Sequence, residues 1–300
     1  MRLRRAIAGL AFALASCASA WVCADVAVRD GTGATVTLPR PAARIVSLAP
    51  HATELIYAAG AGPAVVGVLA HSDWPVAARA LPHVGDAAAL DIERIVALKP
   101  DLVVTWPYTI PAQVAQLRTF GIPVYTTDAR SANDIIDDVE RLATLAGTAA
   151  AAAPAVAAMR ARMTALERRR AGVRVVRVFY QLGDKPMYTV GKPQLITQAL
   201  RVCGGVNVFG AVDVAAPLVN VEAVLATRPE AILAGTDHAR RPAWLDGWQA
   251  WPAVPAVEAG NLYVVDAMLL HRPGPRFLDG VEQMCATLDR ARAALAKQGL

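Results

Sequence analysis

The sequence predicts an α/β fold made of two parallel-sheet α/β lobes joined by a single long backbone helix. Three observations carry that prediction. Short β-rich runs alternate with helical patterns through brief turns, both before and after the middle of the chain. The middle, residues 148–172, reads TAAAAAPAVAAMRARMTALERRRAG and has no strand signal, and Ala, Met, Leu and Arg are strong helix formers. Finally, DIERIVALKPDLVV at residues 91–104 recurs as NVEAVLATRPEAIL at residues 220–233. Glu93, Ala97 and Pro100 return there as Glu222, Ala226 and Pro229, so the flanking parts are built alike. A generic helix–proline–strand unit is the plainer explanation of that likeness.

The elements follow in order. Residues 1–24, MRLRRAIAGLAFALASCASAWVCA, combine a basic start, an apolar stretch and small residues at A-x-A-like sites, the signature of a secretory signal peptide. The stretch is too short and too alanine-rich for a membrane anchor. Val22-Cys23-Ala24 and Ala18-Ser19-Ala20 both suit signal peptidase, whereas Leu14-Ala15-Ser16-Cys17 resembles a lipobox that would lipidate Cys17. Cutting after Ala24 removes Cys17 and Cys23 and leaves Cys203 and Cys285 as an even pair in an oxidising compartment. That parity favours a soluble periplasmic chain with a Cys203–Cys285 disulfide closing a loop of about 80 residues.

In the first lobe, residues 25–147, DVAVRDGTGATVTLP alternates around Asp30-Gly31 as a hairpin. Strands follow at residues 44–48, 65–68, 102–106 and 124–127, with helices at 53–59, 92–98, 112–120 and 134–145. The linking helix occupies residues 148–172, with Pro154 expected in its first turn. In the second lobe, residues 173–300, strands are expected at 173–181, 231–234 and 262–266, and helices at 195–202 and 277–297.

The chain is 55% hydrophobic with a mean hydropathy of +0.36, values that suggest a membrane protein. Only residues 6–24 form a long charge-free apolar run, and elsewhere alanine supplies the score, so a multi-span protein is excluded. Three of the 30 basic residues, Arg2, Arg4 and Arg5, lie in the leader, and without them the excess over 25 acidic residues falls from five to two. That is no nucleic-acid footprint. G-x-S-x-G, Walker A and H-E-x-x-H patterns are absent, so neither a catalytic nor a metal site is expected. A hydrolase assembled from distant residues remains the enzyme alternative.

Chemistry points instead to loops after strands, because ligands of parallel α/β sheets bind beyond the carboxyl ends of the strands. His71 and Trp74 follow the strand at 65–68, Trp106 and Tyr108 follow that at 102–106, and Tyr188 follows that ending near Gln181. Flat aromatic faces between two lobes suit a large planar ligand, although core packing would equally bury Trp74 and Trp106. Trp244, Trp248 and Trp251 have helical spacing and read as a packed face. Glu93 and Glu222 each fall in the first turn of a helix, where the dipole favours a carboxylate. Each lobe would thus offer one exposed carboxylate to a two-fold symmetric partner.

Several blocks closely resemble the bacterial periplasmic cobalamin-binding proteins of ABC importers: RIVSLAPHATELIYAAG (44–60), GVLAHSDWP (67–75), ERIVALKPDLVVTW (93–106), YQLGDKPMYTVG (180–191) and CGGVNVF (203–209). The resemblance implies two α/β lobes on one rigid helix and no catalysis. It also implies a disulfide between Cys203 and Cys285, and Glu93 and Glu222 as the residues docking on an ABC permease dimer in the inner membrane. It implies a monomer binding cobalamin or another corrinoid as cargo. Trp106 matches a corrin-contacting aromatic, and Tyr188 matches a phenylalanine. His71 stands where the family has a tyrosine, and Ala87 and Ala216 where it has tryptophans. Related proteins bind haem, for which His71 would be an axial ligand, or ferric siderophores.

Overall fold

The structure is a computed structural model and describes residues 25–169 and 172–299. The expected signal peptide, with Cys17 and Cys23, lies outside the described residues. The described residues start with an antiparallel hairpin, β1 (Val26–Arg29) and β2 (Thr35–Leu38). The first lobe contains β3 (Ile45–Ser47), α1 (Pro50–Ala58), β4 (Val65–Val68), α2 (Ile92–Ala97), β5 (Leu102–Thr105), α3 (Pro111–Thr119), β6 (Val124–Thr126) and α4 (Ala132–Leu145). The long helix α5 (Ala149–Arg169) follows. The second lobe contains β7 (Val176–Gln181), α6 (Leu195–Val202), β8 (Gly205–Asn207), α7 (Val221–Thr227), β9 (Ala231–Thr236), α8 (Ala243–Asp246), α9 (Pro255–Glu258), β10 (Leu262–Asp266), α10 (Ala267–Leu270) and α11 (Phe277–Gln298).

Both lobes carry a four-stranded parallel sheet, in the orders β4-β3-β5-β6 and β8-β7-β9-β10. Counted from the first strand of each lobe, the order is second, first, third, fourth in both. The internal repeat of the sequence is therefore a repeat of topology. Its two copies are α2–β5 and α7–β9, each a helix feeding the third strand. The short strand β8 carries no alternating pattern in GVN and escapes sequence reading.

Helix α5 buries Ala152, Val156, Met159, Met163 and Leu166, a stripe at three- and four-residue spacing. Through that stripe one continuous apolar core runs from α1 and α4 of the first lobe to α6 and α11 of the second. Arginines on the helix reach both ways. Arg160 bonds Asp137 and Glu140 of α4 at 2.9 and 2.6 Å, and Arg162 bonds Asp279 and Glu282 of α11 at 2.5 and 2.8 Å. Pro154 lies in the second turn of α5, not the first as its position suggests. The alanines before it sustain a helix whose only loss there is the bond to the Ala150 carbonyl. The three tryptophans also differ from a single helical face. The chain tightens at Gly247 into a 3-10 turn after α8, yet Trp248 and its neighbours still pack into the second lobe.

The Cys203–Cys285 disulfide is present, joining cysteines 82 positions apart in sequence. It ties the end of α6 to α11. In the chain-entropy picture a loop of that length contributes up to ~4 kcal/mol.

The lobes also meet at a buried ion pair. Glu54 of α1 is 4% exposed, and Arg276, just before α11, holds its carboxylate bidentately at 3.0 and 2.6 Å. The same guanidinium lies 4.9 Å from the centre of the Trp74 ring. Gly274 packs against the carboxylate so closely that a Cβ there would lie 3.1 Å from Oε2. Nearby, Arg272 bonds Asp73 at 2.9 Å, on a more open surface. Burial alone would raise the Asp73 pKa, but the hydrogen bond and charge of Arg272, with Arg276 behind it, hold it below its usual value.

Two outcomes follow from these contacts. Arg276→Ala leaves a buried carboxylate unpaired and should lower stability in urea unfolding by about 3 kcal/mol. Arg272→Ala, at a more exposed pair, should lose less than about 1 kcal/mol; equal losses would refute the ranking. The second outcome concerns Asp138 of α4, which is 1% exposed and accepts from Tyr125 Oη at 2.5 Å. Burial raises its pKa from 3.8 to about 7, against the opposing Tyr125 bond and Arg141 charge. Between those values the native state keeps a proton that the unfolded chain has released. Stability should therefore fall as pH rises through that window, by a few kcal/mol, and level off above it. Asp138→Asn should flatten that part of the pH profile; an unchanged slope in the variant would assign the effect elsewhere.

Candidate functional site

A cavity of about 480 Å³ opens between the lobes. Its walls come from loops that leave the carboxyl ends of strands. From the first lobe these are His51 after β3, Trp106 and Tyr108 after β5, and Asp128 and Arg130 after β6. From the second they are Leu182 after β7, the segment entering α6, and His271 after β10 and α10. Repetition of one topology turns the same ends of two sheets toward one space.

The aromatic wall is built on β5. Thr105 Oγ1 donates to Thr109 Oγ1 at 2.6 Å, and Thr109 N donates to the Trp106 carbonyl at 3.1 Å, so the intervening residues form a fixed turn. Trp106 meets the edge of His51 at 5.0 Å between ring centres, and Tyr108 meets Trp106 at 4.8 Å. Tyr108 is 70% exposed and stands at the mouth. His51 is buried at the start of α1, with Nε2 3.3 Å from Thr127 Oγ1. Desolvation, with the charge of Arg272, lowers its pKa to about 3, so the ring is neutral and supports Trp106 as an uncharged edge.

The N-terminal hairpin braces the β6 loop from outside. Gly31 N donates to the Thr126 carbonyl at 2.8 Å, and Thr126 N donates to Asp30 Oδ2 at 3.2 Å. A Cβ on Gly31 would lie 2.2 Å from the Asp128 amide nitrogen, so only glycine lets the hairpin come this close. In the second lobe Trp248 Nε1 donates to Gln181 Oε1 at 2.8 Å and fixes the end of β7. His271 is exposed toward the cleft, and its Nε2 lies 3.0 Å from Tyr180 Oη. Enclosure by the protein lowers its pKa, against the nearby carboxylates of Asp237 and Asp266.

The structure brings Trp106 and Tyr108 together in this cavity. His71, Trp74 and Tyr188 are exposed, and none of them lies among its walls. His71 sits on the loop after β4 with φ 65°. Trp74 carries Arg276 on its ring. Tyr188 pairs with Leu218 on the strap whose Leu182 and Val190 do line the cavity. Sequence reasoning missed His51, Asp128, Arg130 and His271. The rule that singled out Trp106 would have found His51, Asp128 and Arg130 if applied to the ends of β3 and β6, whereas α10 separates His271 from β10.

Glu93 and Glu222 occupy matching places. Each is the second residue of its helix, each is exposed, and each follows an N-cap side chain, Asp91 or Asn220, that accepts from a backbone N–H at 2.9 Å. Among the described residues there is no group of three His, Cys, Asp or Glu placed to hold a bare metal ion, and no helix long and apolar enough to cross a membrane.

This architecture has close counterparts. The vitamin B12-binding protein of Vibrio cholerae is 36% identical over 263 residues, covering 87% of this chain and 94% of that protein. The crystal structure of the periplasmic vitamin B12-binding protein of Vibrio cholerae matches with a TM-score of 0.76 at 37% identity, covering 84% of this chain and 98% of that one. The apo form of a periplasmic haem-binding protein from Roseiflexus sp. RS-1 matches with a TM-score of 0.70 at 26% identity, covering 83% and 98%. The profile of the periplasmic binding protein family spans residues 45–269, and with its two sheets of one order on a single helix the chain belongs to that family.

Proposed function

We propose that this chain is an exported periplasmic binding protein that captures cobalamin or a related corrinoid between its lobes and delivers it to an ABC permease dimer in the inner membrane. The observation that carries the reading is the wall formed by Trp106 and Tyr108, braced by His51, at the one place where both sheets end. A broad planar ligand buries apolar area against such faces and exchanges hydrogen bonds with the polar groups around them. The likeness to vitamin B12-binding proteins over most of the chain supports the same cargo. The basic, apolar and small-residue order of residues 1–24 supports export, with lipidation at Cys17 as the alternative route. No residue acts catalytically in this reading. Haem is the second reading, favoured by the two imidazoles that the cavity holds.

Glu93 and Glu222 serve as the docking carboxylates. Their matching places on α2 and α7 offer one anion per lobe, each on a helix start, to basic pockets of a two-fold partner.

Calorimetric titration with cyanocobalamin, alongside a spectral titration with haem, tests the cargo. Saturable heat with cyanocobalamin and no haem shift is the expected result, and the reverse pattern sinks the corrinoid assignment. Trp106→Ala should weaken cyanocobalamin binding roughly tenfold or more, because an aromatic contact of this kind contributes on the order of 1 kcal/mol beyond its buried area. The double variant Glu93→Ala, Glu222→Ala should bind cyanocobalamin as tightly as the parent yet fail to support uptake in cells; normal uptake would refute the docking role.

A further inference from the structure

The two imidazoles on the cavity are not equivalent. His51 is 3% exposed, with one nitrogen against Thr127 Oγ1 and its edge against Trp106. It props the aromatic wall and has little surface to offer a ligand. His271 sits at the C-terminal end of α10, exposed to the cleft. Its Nε2 is 3.0 Å from Tyr180 Oη, and Tyr180 is wholly buried beneath it. That bond commits one nitrogen inward and fixes the plane of the ring. Nδ1 has no hydrogen-bond partner among the described residues.

An oriented imidazole, tied at one nitrogen by a buried oxygen and free at the other, is how proteins present nitrogen to a metal. The enclosure of the ring keeps it neutral, and a neutral ring is the form that ligates. A bare ion would need several protein ligands, which the described residues do not provide. A tetrapyrrole brings its own equatorial nitrogens, so one histidine is enough.

We propose that His271 Nδ1 ligates the cobalt of a corrinoid held in the cleft, at an axial position left open by loss or displacement of the nucleotide base. This deepens, and rests on, the corrinoid reading above. The lone pair of Nδ1 forms the cobalt–nitrogen bond, and a coordinated water leaves with its own electron pair. The cobalt keeps its oxidation state. The imidazole proton stays on Nε2, donated to Tyr180 Oη. His71, an axial ligand only in the haem alternative that the resemblance implies, is not among the cavity walls.

The test uses cobinamide, a corrinoid without the lower base, reduced to its paramagnetic cobalt(II) state and bound to the purified protein. Electron paramagnetic resonance should show each cobalt line split into a triplet by one nitrogen. In protein grown with 15N-histidine, each triplet should become a doublet. The splitting should vanish in His271→Ala and in His271→Gln. If both variants fail to fold, survival of the splitting in His51→Ala, His71→Ala, His83→Ala and His238→Ala supports His271 by elimination, and its loss in any of them overturns the assignment. A bound cobinamide without nitrogen splitting in the parent protein overturns the proposal, as does splitting that survives a folded His271 variant. Cyanocobalamin, with both axial positions filled, separates the two levels. If it binds and the splitting is missing, only the ligation falls; if neither corrinoid binds, the cargo reading falls with it.

Discussion

The carboxylate of Glu54 is buried in one lobe and neutralised by a guanidinium from the other. Much of the cleft's geometry depends on that arrangement. A carboxylate 4% exposed is tolerable only when paired and hydrogen-bonded, and Arg276 supplies both bonds. Removing the guanidinium while the carboxylate stays buried would cost several kcal/mol. The lobes are therefore joined twice, covalently and through packing at α5, and electrostatically at Glu54. The cavity lies among elements held at both places. Trp74 belongs to this junction, where the Arg276 guanidinium lies over its ring.

The second organising constraint is repetition. Each lobe places its strands in the same order, so each sends its strand ends, and the loops after them, toward the cleft. The same repetition puts Glu93 and Glu222 at equal positions on the helices before the third strands. The aromatic wall on one lobe and the Tyr180–His271 pair on the other break that symmetry in the interior.

Most of the fold was legible from period and punctuation. α6 and β10 stand where the apolar spacing of LITQALRV and LYVVD puts them. What escaped was short or context-made. β8 has three residues, and its pairing with β7 is imposed by the sheet rather than by GVN itself. The site was legible in part. Trp106 and Tyr108 announced themselves as aromatics after a strand. His271 did not, since α10 intervenes between β10 and the histidine, and its role depends on Tyr180, 91 residues earlier. His71 and Trp74 looked like ligand residues because they follow a strand. That loop also reaches the Arg272–Arg276 junction, where Asp73 and Trp74 find charged partners.

The clamping of α5 by Arg160 on one side and Arg162 on the other has a consequence for how occupancy can be read. A helix tied to α4 on one side and to α11 on the other offers no free hinge between the lobes. Such a body works as a gauge rather than a switch. Under the proposed docking, a partner that grips both lobes would meet nearly the same span with the cleft full or empty. Discrimination must then come from the cargo surface at the mouth, or from loss of motion in the loops around it, because a ligand can shift only those states that differ in their affinity for it.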